Sequence, residues 1–158
     1  MKIISHSVTE TLNIGKKVSR HLRPGDILCF YGQLGSGKTV LTKGVAKGLG
    51  IDINKVISPT FVLIREHTNG KLPLYHFDLY RLEDSRGILE LGYEEYFYGD
   101  GVSVIEWADR LKSLTPKEFL RVDLSIIKDS QREIKLSAIG SRYEKILEDI
   151  HAQIMAKP

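Results

Sequence analysis

The sequence predicts an α/β fold with a mixed central sheet, and three observations carry that prediction. A short apolar run, Ile27-Leu28-Cys29-Phe30-Tyr31, leads through a glycine-rich turn into a helical stretch. Strand–helix alternation then fills the first part of the chain. Two polar–apolar alternating segments, 120–127 and 133–139, read as an antiparallel pair around residues 128–132. The 158 residues, 42% of them apolar, suit a single domain over 1–158 and can close a core.

Residues 8–22 place Val8, Leu12, Val18 and Leu22 at mostly helical spacing, which predicts an opening helix. Arg23-Pro24-Gly25-Asp26 turns the chain, because Pro fixes φ and Gly permits unusual backbone angles. The run 27–31 is too short for a helix and reads as a strand buried on both faces. In 38–49, Leu41, Val45 and Leu49 recur every four residues beside Gly44 and Gly48, so this helix packs closely against a neighbour. Segments 61–64 and 72–77 read as two strands joined through Asn69-Gly70, a hairpin signal. Residues 83–98, rich in Glu and Leu, predict a helix interrupted at Gly92. Val102-Ser103-Val104-Ile105-Glu106-Trp107 is a further buried strand that ends in a carboxylate. A last amphipathic helix covers about 141–155.

Composition narrows the classes. The 23 Lys+Arg against 20 Asp+Glu leave a net charge of +3, with no clustered basic run of the kind nucleic-acid arms carry. No apolar stretch approaches the roughly 20 residues that span a bilayer, and the first residues lack a secretory signal's apolar core. A lone cysteine, Cys29, forms no internal disulfide. The expectation is a small soluble protein of the cytoplasm, with no membrane role and no obligate homo-oligomer.

Gly32-Gln33-Leu34-Gly35-Ser36-Gly37-Lys38-Thr39 matches the phosphate-binding pattern G-x-x-x-x-G-K-[ST] in full. Chance would produce that match in roughly one per cent of chains of this composition, and here a strand precedes it and a helix follows. Glycines let the backbone wrap a phosphate and turn several N–H groups inward, where the helix N-terminus adds partial positive charge. Lys38 would reach the terminal phosphates and Thr39 would offer its hydroxyl to Mg²⁺. The residues therefore make this a nucleotide site with Mg²⁺ as a cofactor, in an expected P-loop NTPase-like three-layer sandwich.

Such a site needs a second metal anchor at a neighbouring strand end, and Glu106 sits there, either to hold Mg²⁺ or to orient the attacking water. Asp78 also ends an apolar strand, as a second anchor or as a helix cap or turn former. Thr60, after Ser58-Pro59, lies where other phosphate-loop enzymes place a threonine that senses the γ-phosphate. Trp107 either walls the site or is a core aromatic. His76 reads as a packed or hydrogen-bonded sheet histidine rather than a proton carrier. Cys29 reads as packing rather than a nucleophile.

These blocks, together with Tyr75-His76-Phe77-Asp78-Leu79-Tyr80-Arg81 and Ile105-Glu106-Trp107, resemble the TsaE (YjeE) family from about residue 9 to about 142. The resemblance implies a bacterial ATPase of the system that forms N6-threonylcarbamoyladenosine beside the tRNA anticodon. It further implies action with TsaD and TsaB to sustain their turnover, without transferring the threonylcarbamoyl group, and contact with tRNA only through that complex. By matching position it assigns phosphate binding to Leu34, Gly35, Ser36, Gly37, Lys38 and Thr39. The metal falls to Thr39 and Glu106, a place beside the site to Trp107, and roles in hydrolysis to Thr60 and Asp78. Val8 and Thr9 match a helix start near the adenine, and Arg132 a late loop close to the nucleotide. Gln33, Ser36 and Val40 depart from the family's usual G-D-L-G-A-G-K-T-T, and none of the three removes a backbone phosphate donor. A small-molecule P-loop kinase is the alternative, disfavoured by the absence of an Arg-rich lid segment. A nucleotide-binding interaction protein without turnover is a third reading.

Overall fold

In the computed structural model, which describes residues 1–59 and 61–156, one seven-stranded sheet runs in the order β1-β7-β6-β2-β5-β4-β3. Its strands are β1 (Lys2–Ser5), β2 (Ile27–Tyr31), β3 (Ile64–His67), β4 (Leu74–Asp78), β5 (Val102–Glu106), β6 (Phe119–Lys128) and β7 (Gln131–Ile139). The centre is parallel, with β2 between β5 and β6 and β4 beside β5. Antiparallel pairs close both flanks: β3 with β4, and β7 with β6 and β1. The mixed sheet is thus the expected one, with an edge strand added at the N-terminus.

Helices α1 (Val8–Ser19), α2 (Lys38–Gly48) and α5 (Ser141–Met155) pack on one face, around Ile14, Val45 and Ile146 with Leu28 and Phe30 of β2. The short helices α3 (Arg86–Glu90) and α4 (Tyr93–Phe97), with a 3₁₀ segment at Ala108–Leu114, cover part of the other face. There Ile88, Phe97 and Leu111 meet Ile27 and Cys29. Strand β2 is therefore buried on both sides, as its unbroken apolar run requires. Three layers result.

Packing, rather than helix propensity, sets α2. Gly44 and Gly48 each cost about 1 kcal/mol of helix propensity, while burying Leu41 and Val45 contributes about 1.5–3 kcal/mol apiece. The glycines serve the approach of α1: a Cβ on Gly44 would stand 2.3 Å from the Leu12 carbonyl oxygen, and one on Gly15 2.5 Å from that of Leu41. The close packing read from the sequence is this α1–α2 contact.

Several boundaries move. β3 begins at Ile64 rather than at Phe61, and Phe61 is 83% exposed. The helix expected over 83–98 is two single turns, because Gly92 sits at φ 66 in the left-handed region and breaks the ladder. Among the described residues no helix is long and apolar enough to cross a membrane.

Candidate nucleotide site

Parallel strands β2, β5 and β4 bring their carboxyl ends to one edge of the sheet, the place where open α/β sheets bind ligands. Register pairs Phe30 with Glu106, and Glu106 with Asp78. The glycine loop after β2 and the carboxylates ending β5 and β4 therefore meet because three strands stop together. They line a cavity of about 420 Å³ with Leu34, Gly35, Ser36, Gly37, Lys38, Thr39, Val40, Ser58, Tyr80 and Trp107. A larger cavity, about 650 Å³, opens beside the start of β2. Its buried carboxylate, Asp26, is already held by two bonds from Arg142 and by the Arg23 N–H. The chemistry gathers in the smaller one.

The loop can take its shape because Gly37, at φ 101, caps α2 in a conformation that side chains strain to adopt. The first N–H groups of α2 have no intrahelical acceptor and face the loop with the helix's partial positive charge. Ser36 is fully buried, whereas the Leu34 side chain is 72% exposed. The Lys38 ammonium folds onto the loop, donating to the carbonyls of Gly32 (2.6 Å) and Gln33 (2.9 Å) and to Ser36 Oγ (3.3 Å). It also stands 4.0 Å from the centre of the Trp107 ring, which itself leans on Tyr80. Burial pushes the Lys38 ammonium below the usual lysine range, and Glu106, Asp78 and Asp109 oppose that shift. Trp107 is held at φ 58, an uncommon conformation for a bulky residue, and both lines the cavity and packs against the core beneath it.

Glu106 is 2% exposed, and both its oxygens are engaged. Oε2 accepts from the Thr39 hydroxyl at 3.0 Å. Oε1 accepts from the Thr42 hydroxyl at 3.0 Å and lies 2.8 Å from His76 Nε2. Asp78, 4% exposed, accepts from Ser58 Oγ and from the Tyr80 N–H at 3.0 Å. It turns the chain after β4, the turn-forming role read from the sequence, and it also lines the cavity. His76 is fully buried and hydrogen-bonded, as read from the sequence. Burial raises the Cys29 thiol far above its ordinary range, which leaves it inert packing.

The remaining candidates lie at the margin. Arg132, at the β6–β7 turn, donates to the Gly35 carbonyl at 3.2 Å and so touches the loop from outside the cavity. Val8 and Thr9 form the exposed first turn of α1, capped by the Ser7 hydroxyl. Thr60 lies outside the described residues. Sequence reasoning missed Thr42, Ser58 and Tyr80. For Thr42 a signal existed: three residues after Thr39 on α2, it shares that helix face.

This donor set fits a nucleoside triphosphate with Mg²⁺. Helix N–H groups and a lysine suit phosphate oxygens, and one hydroxyl with one carboxylate is the protein's usual share of a magnesium shell completed by phosphate and water.

A family model described as threonylcarbamoyl adenosine biosynthesis protein TsaE matches residues 5–134. A protein named tRNA threonylcarbamoyladenosine biosynthesis protein TsaE from Bacillus subtilis strain 168 is 45% identical over 141 residues, 89% of this chain and 87% of that protein. One of the same name from Treponema pallidum strain Nichols is 39% identical over 137 residues, 87% of this chain and all of that protein. A crystal structure of Bacillus subtilis YdiB superposes with a TM-score of 0.86 at 39% identity, covering 98% of this chain and 95% of that one. The chain belongs to the TsaE family.

Proposed function

We propose that this chain binds and hydrolyses ATP with Mg²⁺, and that it does so within the formation of threonylcarbamoyladenosine in tRNA. The observation that carries the reading is the 3.0 Å contact between Thr39 Oγ1 and Glu106 Oε2 at the head of a complete phosphate loop. The backbone from Leu34 to Thr39 would bind the phosphates, and the Lys38 ammonium would exchange the Gly32 and Gln33 carbonyls for phosphate oxygens. Thr39 and Glu106 would hold Mg²⁺, which when bound supplies fixed positive charge against the negative charge of the phosphates. Glu106 and Asp78 would orient water, while Trp107 and Tyr80 restrict its access from one side. No residue of the chain needs to form a covalent bond.

The relatives' names support a role in tRNA modification, and by the family resemblance TsaD and TsaB would be the proteins whose turnover it sustains. tRNA would be met only through that complex, in the cytoplasm. A steady-state assay tests the reading: the purified chain should release phosphate from Mg·ATP with no phosphoryl acceptor added, and faster with TsaD and TsaB present. Release only after adding a small-molecule acceptor would favour a kinase. Nucleotide binding with no release under any of these conditions would leave a binding module.

A further inference from the structure

Glu106 is held from two sides, and the two sides are unequal. On the loop side, Oε2 meets the Thr39 hydroxyl, a bond that must be given up or shared if that hydroxyl serves a metal. On the sheet side, Oε1 has two neighbours. The Thr42 hydroxyl has one proton and two acceptors, Glu106 Oε1 at 3.0 Å and the Lys38 carbonyl at 2.9 Å, so it cannot hold the carboxylate alone. His76 Nε2 lies closest, at 2.8 Å, with both partners buried. An ionised carboxylate only accepts, so Nε2 carries the proton. Among the described residues His76 Nδ1 is buried and has no partner, so the contact of Nε2 with Glu106 is the ring's one hydrogen bond. A fully buried imidazole between Tyr75 and Phe77 on β4 is costly unless it is hydrogen-bonded.

We propose that His76 is a positioning residue: its Nε2–H locks Glu106 Oε1 so that Oε2 stays aimed at Thr39 and the phosphate loop. The assignment rests on the ATPase reading above. His76 lies on β4 two residues from Asp78, and Glu106 lies opposite Asp78 on β5, so the ring reaches the carboxylate diagonally across the same face of the sheet. It touches neither the loop nor the cavity, and acts through Glu106 alone.

The test compares ATP hydrolysis and Mg·ADP affinity in the wild-type chain, His76→Gln, His76→Phe, Thr42→Val and, as the reference for loss of the carboxylate, Glu106→Gln, each checked for a cooperative melt. Glutamine carries an amide N–H at about the reach of imidazole Nε2, phenylalanine keeps bulk without a donor, and valine is isosteric with threonine. The expected result is a fall in kcat of at least about thirtyfold for His76→Phe with KM changed less than about threefold. His76→Gln should recover to within about fivefold of wild type, and Thr42→Val should lose less than His76→Phe. If His76→Phe does not fold, the Gln variant and Thr42→Val still decide: a Thr42→Val loss as deep as that of Glu106→Gln would mean that Thr42 holds Oε1, which overturns the proposal. Equal losses in His76→Gln and His76→Phe would also overturn it, since the ring would then matter only for packing. Normal turnover in folded His76→Phe would do the same. A wild-type chain that binds Mg·ADP but never hydrolyses ATP would overturn the ATPase reading itself and the positioning role with it, a result recognisable because the wild type is silent.

Discussion

Glu106 and Asp78 are register partners on adjacent parallel strands, yet their carboxylates are bound into different parts of the site. Glu106 reaches across to α2 through Thr39 and Thr42, whereas Asp78 turns to its own loop through Ser58 and the Tyr80 N–H. One acid is therefore tied to the phosphate loop and the other to the segment facing it. Mutations should separate their effects.

Thr39→Ala removes only the hydroxyl beside Glu106 Oε2. Phosphate contacts through the backbone persist, so nucleotide binding without metal should stay near normal. The Mg²⁺ concentration giving half-maximal hydrolysis should rise by about tenfold or more, equivalent to about 1.4 kcal/mol. A magnesium titration that superposes on the wild type would remove Thr39 from the metal shell.

Lys38→Ala should abolish most hydrolysis while leaving the fold intact. Gly32 is half-buried and Gln33 exposed, so water can replace the ammonium at the carbonyls that now accept from it. A folded variant with unchanged turnover would contradict the role of Lys38 at the terminal phosphates.

Gly44→Ala tests the helix contact beneath the loop. The added Cβ meets backbone, the Leu12 carbonyl oxygen at 2.3 Å, which no side-chain rotation relieves. Overpacking of this kind costs about 1–3 kcal/mol, or several degrees in Tm for a domain of this size. Thermal melting measures it directly, and an unchanged Tm would mean that α1 can slide away from α2.

Alkaline pH should loosen the α5 side of the core. Burial pushes the Tyr143 hydroxyl up to about 12, and the hydroxyl accepts the Ile27 N–H at 2.7 Å. A raised folded value means that the folded state holds its proton longer than the unfolded chain. The stabilisation is complete below about pH 10 and is lost as pH rises toward 12; two pH units correspond to at most about 2–3 kcal/mol. Tyr143→Phe should have a lower Tm at pH 8, through the lost bond to Ile27, and a shallower decline between pH 10 and 12. Parallel declines would assign the alkaline loss to other tyrosines.

Much of this architecture was legible because its signals were local. The loop 32–39 needs particular glycines, the bounds of α5 follow its apolar stripe, and the β6–β7 pair follows its alternation. Strand β1 escaped because four residues at a sheet edge, with Ile4 exposed, show no period of their own. The 3₁₀ segment at Ala108–Leu114 escaped because it starts from a left-handed tryptophan, which no propensity favours. In the site, Glu106 could be read from a strand ending in an acid. Its anchorage could not, since His76 and Thr42 lie 30 and 64 residues away in sequence and meet it only through strand register and helix packing.

Glu106 is expected to act in turnover rather than in nucleotide binding, and Glu106→Gln separates the two because the amide keeps size and loses charge. ATP affinity and single-turnover hydrolysis should be measured side by side on the same folded preparation. Affinity is expected within about tenfold of wild type, about 1.4 kcal/mol, and hydrolysis reduced at least about a hundredfold, about 2.7 kcal/mol of barrier. Near-normal hydrolysis would contradict the account and leave Asp78 as the carboxylate of the reaction.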